Sequence, residues 1–221
     1  MPRPTASIIS RMKTTMWEVP ELARRRLQVL CSAALAVFCM AAVSDAGPRE
    51  TMQETIDQVI AVLNDAALDT EQRRESIEKI AYDRFDLYTM SRLVLARSWK
   101  QFTPEQREKY VEEFKEYLAN NYGGRITRYE QEQVEILGTR DEQRGDVTVQ
   151  TRIVGGEFDA TRVDYRMRKR DGVWRVIDVI IEGISMVSNF RDQFREVLSR
   201  GGPEHLLAKL QEKNALGVVE E

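Results

Sequence analysis

Residues 161–194 read TRVDYRMRKRDGVWRVIDVIIEGISMVSNFRDQF, and this stretch decides the fold. From 163 to 168, apolar and charged residues alternate, which is the period of a strand with one buried face. Asp171-Gly172 suits a two-residue hairpin, because the backbone dihedral φ must be positive there. Residues 174–181 are almost continuously apolar, as expected for a strand that is covered on both faces. The stretch therefore predicts an antiparallel hairpin.

Gly183 interrupts the second strand of this hairpin. Apolar residues then recur at helical spacing, at positions 184, 187, 190 and 194. The hairpin therefore continues into an amphipathic helix, which must fold back over the sheet to bury its apolar face. We expect Gly183 to be the joint between the sheet and this helix.

Four helices are predicted before the hairpin from the spacing of apolar residues. They begin near residues 50, 70, 85 and 103. The fourth has the clearest start, because Thr103 can cap it, Pro104 suits the first helical position and Gln106 completes a capping box. Gly123-Gly124 predicts its end, after Tyr122.

The second half of the chain predicts strands and then helices. The strands cover residues 132–138, 146–154, 161–169 and 173–181, and the helices cover about 184–200 and 203–214. This order favours the α+β class. We expect a curved antiparallel sheet of about four strands, with helices packed around it and an apolar cavity enclosed between them.

Composition excludes several classes of function. The 221 residues are 42% apolar and 31% charged, which is typical of a globular protein. A net charge of −3 provides no basic surface for nucleic acid. The only histidine is His205, and both cysteines, Cys31 and Cys39, lie near the N-terminus. The rest of the chain can form neither a disulfide nor a thiolate metal site, so we expect no metal and no cofactor.

Residues 1–46 have the organisation of a secretory signal peptide. Three arginines at 24–26 precede an apolar run at 27–43, and a small-x-small cleavage site follows at 44–46. A retained membrane anchor is the alternative, although the run of 17 residues falls short of the ~20 that span a bilayer. The start codon and the choice between Sec and twin-arginine export stay open.

Cleavage at this site would change the charge of the protein. The mature chain would begin near Gly47, and residues 47–221 would form its functional domain. Six basic and three acidic residues would be removed, so the net charge would become about −6.

Asp178 and Glu182 are the residues that come closest to a catalytic pair. Two carboxylates can serve acid–base chemistry, which supports one alternative function, a small cone-shaped α+β enzyme of the isomerase type. A buried Asp178 needs a partner, however, and Arg166 or Arg168 on the neighbouring strand can supply it. Ser185 has no histidine nearby and is interpreted as a helix N-cap. We therefore favour structural pairing and expect no enzymatic activity.

Several short motifs resemble a known family. The helices contain Phe85-Asp86, Met90-Ser91, Leu95-Ala96-Arg97-x-Trp99, Thr103-Pro104-Glu105-Gln106 and Phe114-x-x-x-Leu118 with Tyr122. The hairpin contains Val163-Asp164-Tyr165-x-Met167, Gly172-x-Trp174-x-Val176-x-Asp178-Val179-x-Ile181-Glu182-Gly183-Ile184-Ser185 and Asn189-Phe190-Arg191-x-Gln193-Phe194. On these motifs the chain resembles the MlaC family of periplasmic phospholipid-binding proteins, also called the toluene-tolerance family. Ala96 departs from the pattern, because members often have glycine there.

The resemblance implies a specific function. It implies a twisted antiparallel sheet with helices around an acyl-chain cavity, in a soluble periplasmic carrier that we expect to be a monomer. The implied partners are an outer-membrane lipoprotein–porin complex and an inner-membrane ABC transporter with a membrane-anchored substrate-binding subunit. Phospholipid shuttled between them would maintain the lipid asymmetry of the outer membrane. An envelope carrier or chaperone for lipoproteins is a further alternative.

Candidate lipid-binding residues are large apolar side chains that the predicted elements turn toward the interior. They are Leu93, Val94, Phe114, Leu118, Tyr122, Val134, Ile136, Val149, Tyr165, Met167, Ile177, Val179, Ile181, Ile184, Met186 and Phe190. Ordinary core packing is the alternative role for each of them. The sequence specifies neither the headgroup, nor the number of acyl chains, nor the direction of transport.

Overall fold

The computed structural model of the protein describes residues 46–126 and 132–217. The predicted signal peptide lies outside the described residues, except for Ala46. Within the described part of the chain, no helix is both long and apolar enough to cross a membrane.

In the described residues, four helices precede the sheet, and two of them begin at capping boxes. Their bounds are Pro48–Asn64 (α1), Thr70–Arg84 (α2), Leu87–Leu95 (α3) and Pro104–Ile126 (α4), with a 3-10 helix at Ala96–Gln101 between the last two. At α2, the Asp69 carboxylate accepts from the Gln72 N–H, while the Gln72 side chain accepts from the Asp69 N–H. Thr103 and Gln106 form the same reciprocal pair at α4, which confirms the predicted capping box.

The third helix begins two residues later than predicted. Phe85 pairs with Val176 in an isolated parallel β-bridge, so it cannot be the first helical residue. Asp86 instead caps α3, because its carboxylate accepts from the Thr89 N–H at 2.8 Å. The segment before α3 is therefore anchored to the sheet.

Glycine pairs act differently in the two longest helices. α4 continues past Gly123-Gly124 to Ile126, so the predicted end at Tyr122 is wrong. The final helix, α5, spans Met186–Ala215 but is broken at Gly201-Gly202, where Gly202 has φ 68° and ψ −162°. Proline follows this second pair and cannot continue a regular helix. The break confirms the predicted division of the C-terminal region into two helices.

The sheet has five antiparallel strands in the order β1-β2-β3-β4-β5. Their bounds are Gln133–Asp141, Val147–Val154, Val163–Arg170, Val173–Ile181 and Ile184–Ser185. The α+β class is confirmed, but the predicted four strands omitted β5. Its two residues pair with the end of β4. A strand of two residues is too short to show an alternating pattern. The apolar spacing therefore predicted that these residues belong to the start of the helix.

Two tight turns flank β4. Asp171 and Gly172 have φ values of 52° and 80°, which confirms the predicted hairpin between β3 and β4. Glu182 and Gly183 have nearly the same values, 49° and 80°, and join Ile181 to its partner across the turn. The joint predicted at Gly183 is therefore a second two-residue hairpin.

A β-bulge at Ile177 changes the direction of side chains along β4. Arg166 pairs with Asp178, and the next residue of β3, Met167, pairs with Val176, so Ile177 is an extra residue. A bulge of this kind bends the strand and increases its twist. A second irregularity in β1, between residues 136 and 138, acts in the same way and contributes to sheet curvature.

Most buried apolar residues in the described part of the chain belong to two clusters. The helical cluster comprises the buried residues Val94, Leu95, Phe102, Tyr110, Phe114, Val187, Phe190, Phe194, Leu206, Leu207 and Leu210. The sheet cluster comprises the buried residues Met52, Ile56, Ile136, Val149, Met167, Val176 and Val179. The first is built by α3, α4, α5 and the adjoining 3-10 helix, and the second by α1 on one face of the sheet.

We expect Ala96→Gly to raise the free energy of unfolding by about 1 kcal/mol. Ala96 ends α3 with φ 47° and ψ −116°, a combination that residues with a Cβ rarely adopt. Its side chain is exposed, so glycine removes the strain without loss of packing. Urea unfolding of the mature chain measures the change.

Ala119→Gly, inside α4, is the matched control for this substitution. It should lower the free energy of unfolding by about 1 kcal/mol, the ordinary cost of glycine in a helix. An Ala96→Gly protein that loses as much stability as the control would contradict the assignment of strain to Ala96.

Candidate functional site

Aromatic rings form the centre of the helical cluster. The Phe114 ring stacks on Tyr110 with ring centroids 5.7 Å apart. It also meets Phe190 and Phe194 edge-on, at 5.4 Å and 5.7 Å. Such arrangements are favourable for aromatic quadrupoles and bury large apolar surfaces. The aromatic side chains of α4 therefore face α5.

The sheet cluster is formed by alternating residues on one face of the strands. Val149 and Met167 are buried on neighbouring strands, and the half-buried Tyr165 and Ile181 pack at its margin. Helix α1 covers this face, and the Arg49 guanidinium adds a bond to the Ile136 carbonyl at 3.5 Å. The cluster is therefore a layer between α1 and the sheet.

Met186 is the place where the two clusters meet. As the first residue of α5, it packs against both the helical cluster and the sheet cluster. A flexible thioether side chain suits such an irregular boundary. We call this boundary, between the two clusters at Met186, the seam.

The structure divides most of the predicted lipid-binding residues between the two clusters. Leu93, Val94, Phe114, Leu118, Tyr122 and Phe190 belong to or pack against the helical cluster. Val134, Ile136, Val149, Tyr165, Met167, Val179 and Ile181 belong to or pack against the sheet cluster. With Met186 at the seam, fourteen of the candidates line a continuous apolar interior.

Two of the candidates lie elsewhere. Ile184 is 65% exposed in β5, so its predicted place in the interior is wrong. Ile184 follows the Glu182-Gly183 turn and lies in a strand. The helical spacing that predicted an inward side chain therefore does not apply to it. Ile177 is buried but belongs to neither cluster, because it is the extra residue of the β4 bulge.

Two clefts at the surface of the described residues lie away from the predicted lipid-binding residues. Two surface clefts of about 630 Å³ each are present, one between α3 and α4 beside Tyr88 and one between α1 and α2 beside Trp174. Neither is lined by a predicted lipid-binding residue.

The Asp178 carboxylate is held by hydrogen bonds and an ion pair within the fold, unlike the carboxylate of a catalytic base. Its side chain is 2% exposed and lies 3.8 Å from the guanidinium of Arg166, one of the two partners predicted from the sequence. It also accepts hydrogen bonds from the Ser185 hydroxyl at 2.6 Å and the Val187 N–H at 3.1 Å. Glu182 lies in the exposed turn, where its carboxylate accepts from the Arg162 N–H. The two carboxylates therefore have separate surroundings.

Burial raises the pKa of two tyrosines in the interior. Desolvation raises the pKa of Tyr165 to about 12 and lifts that of Tyr110 well above its usual value. Both pKa values rise because an apolar surrounding disfavours the charged phenolate. Among the described residues, no group of three or more His, Cys, Asp or Glu side chains could hold a metal ion.

Sequence reasoning missed part of the interior. Met52 and Ile56 of α1 cover the sheet cluster, and Tyr110 and Phe194 complete the aromatic centre. Helical periodicity marks all four as buried, but it does not indicate which helix covers which surface. That information comes only from the tertiary arrangement.

Comparison with known proteins gives consistent results. A family model described as MlaC protein matches residues 53–212. The toluene tolerance protein ttg2D of Pseudomonas putida is 26% identical over 187 residues, covering 81% of this chain and 84% of that protein. The intermembrane phospholipid transport system binding protein MlaC of Haemophilus influenzae is 23% identical over 190 residues, covering 80% and 87%.

A solved structure has a similar fold. It is a phospholipid-binding protein from Ralstonia solanacearum in complex with a phospholipid, with a TM-score of 0.70 and 25% sequence identity. The match covers 77% of this chain and 98% of that one. Nearly all of that protein therefore has a counterpart in the fold described above.

Proposed function

The chain belongs to the MlaC family, and from this membership we propose that it binds phospholipid and carries it through the periplasm. The observation that carries the proposal is the apolar interior, whose two clusters meet at Met186. The similarity of the fold to a solved phospholipid complex supports it.

The energetics of acyl chains agree with a protein that separates along the seam. Each methylene group exposed to water costs about 0.8 kcal/mol, so two bare chains of common length cost on the order of 20 kcal/mol. A carrier must therefore cover most of both tails, which requires a pocket toward the upper end of about 300–1,000 Å³. Opening the seam would expose apolar side chains from both clusters, and the acyl chains would cover them.

The path of the lipid is part of the proposal. The signal peptide would deliver residues 47–221 to the periplasm as a monomeric, non-enzymatic carrier. It would shuttle lipid between an outer-membrane lipoprotein–porin complex and an inner-membrane ABC transporter with an anchored substrate-binding subunit. A net charge near −6 would keep it from adhering to anionic bilayers, which favours transfer at docked protein partners.

Mass spectrometry of the purified protein tests the proposal. The mature chain, exported to a bacterial periplasm and purified without detergent, should retain phospholipid that is released on denaturation. The same spectra would report the headgroup and the number of acyl chains. After delipidation and refolding, the protein should take up phospholipid from vesicles.

Two results would reject the carrier function. One is a folded, delipidated chain that takes up no phospholipid from vesicles. The other is recovery of an acylated peptide in place of phospholipid, which would indicate a lipoprotein carrier.

A further inference from the structure

One buried carboxylate fixes the start of the helix that crosses the seam. Asp178 lies in β4, and its two oxygens accept from the Ser185 hydroxyl and from the Val187 N–H. The Ser185 hydroxyl oxygen in turn accepts from the Ser188 N–H at 3.0 Å, which caps α5. Two of the backbone donors left unpaired at the start of this helix are therefore satisfied through one aspartate and one serine.

The negative charge of Asp178 strengthens this arrangement. A carboxylate at a helix N-terminus interacts favourably with the helix dipole, and hydrogen bonds to an ionised acceptor are stronger than neutral ones. Arg166, its partner in the register of β3, has its guanidinium 3.8 Å from the Asp178 carboxylate. We call the set of Asp178, Ser185 and Val187 the clamp.

The clamp is adjacent to the seam. Met186 lies between Ser185 and Val187, and it is the side chain that contacts both clusters. Four residues further on, Phe190 enters the aromatic centre of the helical cluster. Any movement of the first turn of α5 away from β4 would therefore withdraw Met186 from the sheet cluster and open the seam.

We propose that Asp178 is the positioning residue that controls how readily the interior opens for phospholipid. This inference rests on the proposed function. The clamp holds the first turn of α5 against β4 in the closed protein. Weaker bonds at Asp178 therefore speed the release of lipid from a protein that is still folded. The carboxylate contacts α5 and not the lipid.

The test is the rate of lipid release at 25 °C. The mature chain is loaded with pyrene-labelled phosphatidylglycerol and mixed with unlabelled phosphatidylcholine vesicles. Asp178→Asn should release the probe about tenfold faster than the wild type, the factor expected for weakening one charge-assisted hydrogen bond. Ser185→Ala should also accelerate release, whereas Ser185→Thr, which keeps the hydroxyl, should restore the wild-type rate.

Asp146→Asn is the matched control. Asp146 is also buried, and its carboxylate accepts two hydrogen bonds of 2.7 Å from Arg168. Arg168 pairs with Arg175, toward the end of β4 remote from α5. The control should lower the melting temperature and leave the release rate unchanged, whereas Asp178→Asn should change both.

Two results would overturn the role of Asp178 and leave the carrier function standing. One is a release rate that is unchanged in both Asp178→Asn and Ser185→Ala. The other is a release rate that Asp146→Asn accelerates equally. If Asp178→Asn does not fold, the comparison of Ser185→Ala with Ser185→Thr decides. A double variant, Asp178→Asn with Ser185→Ala, should be no faster than the first alone, because the two residues act as one unit. A wild-type chain that takes up no probe rejects the proposed function itself.

Discussion

Phe114→Ala should lower the free energy of unfolding by about 3–5 kcal/mol. The Phe114 side chain is 1% exposed and contacts three other rings, so its removal leaves a cavity that the surrounding helices cannot easily fill. Domains of this size are stable by only about 5–15 kcal/mol, so the loss is a large share of the total. Urea unfolding of the delipidated protein measures it, because bound lipid would add its own stabilisation.

Tyr88→Ala serves as the control for this loss. Tyr88 is also aromatic and meets Trp99 edge-on at 5.6 Å, but it is 47% exposed. Its removal should cost about 1 kcal/mol, the value of one edge contact at the surface. Similar losses in the two variants would mean that the aromatic centre of the helical cluster is not closely packed.

Gly183→Val should remove most of the bound phospholipid, while Gly172→Val should leave lipid occupancy unchanged. Both glycines have φ 80° in the second position of a two-residue turn at an end of β4, and neither would bring a new Cβ within 4 Å of another atom. Valine therefore acts at both sites through backbone strain alone, about 1–2 kcal/mol. Only the Gly183 turn leads to β5, Ser185 and the first turn of α5.

The pair of glycine variants separates stability from lipid binding. Unfolding experiments should give similar losses of stability for the two proteins. Phospholipid content per mole of purified protein should then differ between them. Equal occupancy in the two variants would reduce Gly183 to a simple turn residue.

Local chemistry accounts for the features that the sequence predicted correctly. The Asp171-Gly172 turn, the capping box at Thr103 and the break before Pro203 each depend on a few neighbouring residues. β5 was missed for the opposite reason. Its two residues are strand only because β4 lies beside them, and nothing in their own pattern indicates it.

The apolar interior was predictable in composition but not in arrangement. Periodicity identified fourteen residues that the structure brings to the interior. It could not show that they form two clusters, because the division depends on how α1 and α5 are placed against the sheet. The exposure of Ile184 follows from the Glu182 turn, and a glutamate at positive φ is not what the sequence leads one to expect.

The bulge at Ile177 has a consequence for how β4 evolves. Before it, even-numbered positions such as Trp174 and Val176 face the sheet cluster; after it, odd-numbered positions such as Val179 and Ile181 do. The positions that must be apolar are therefore even-numbered before the bulge and odd-numbered after it. We expect loss of Ile177 to be tolerated in related chains, because Val176 and Asp178 would then pair with consecutive residues of β3 without a bulge.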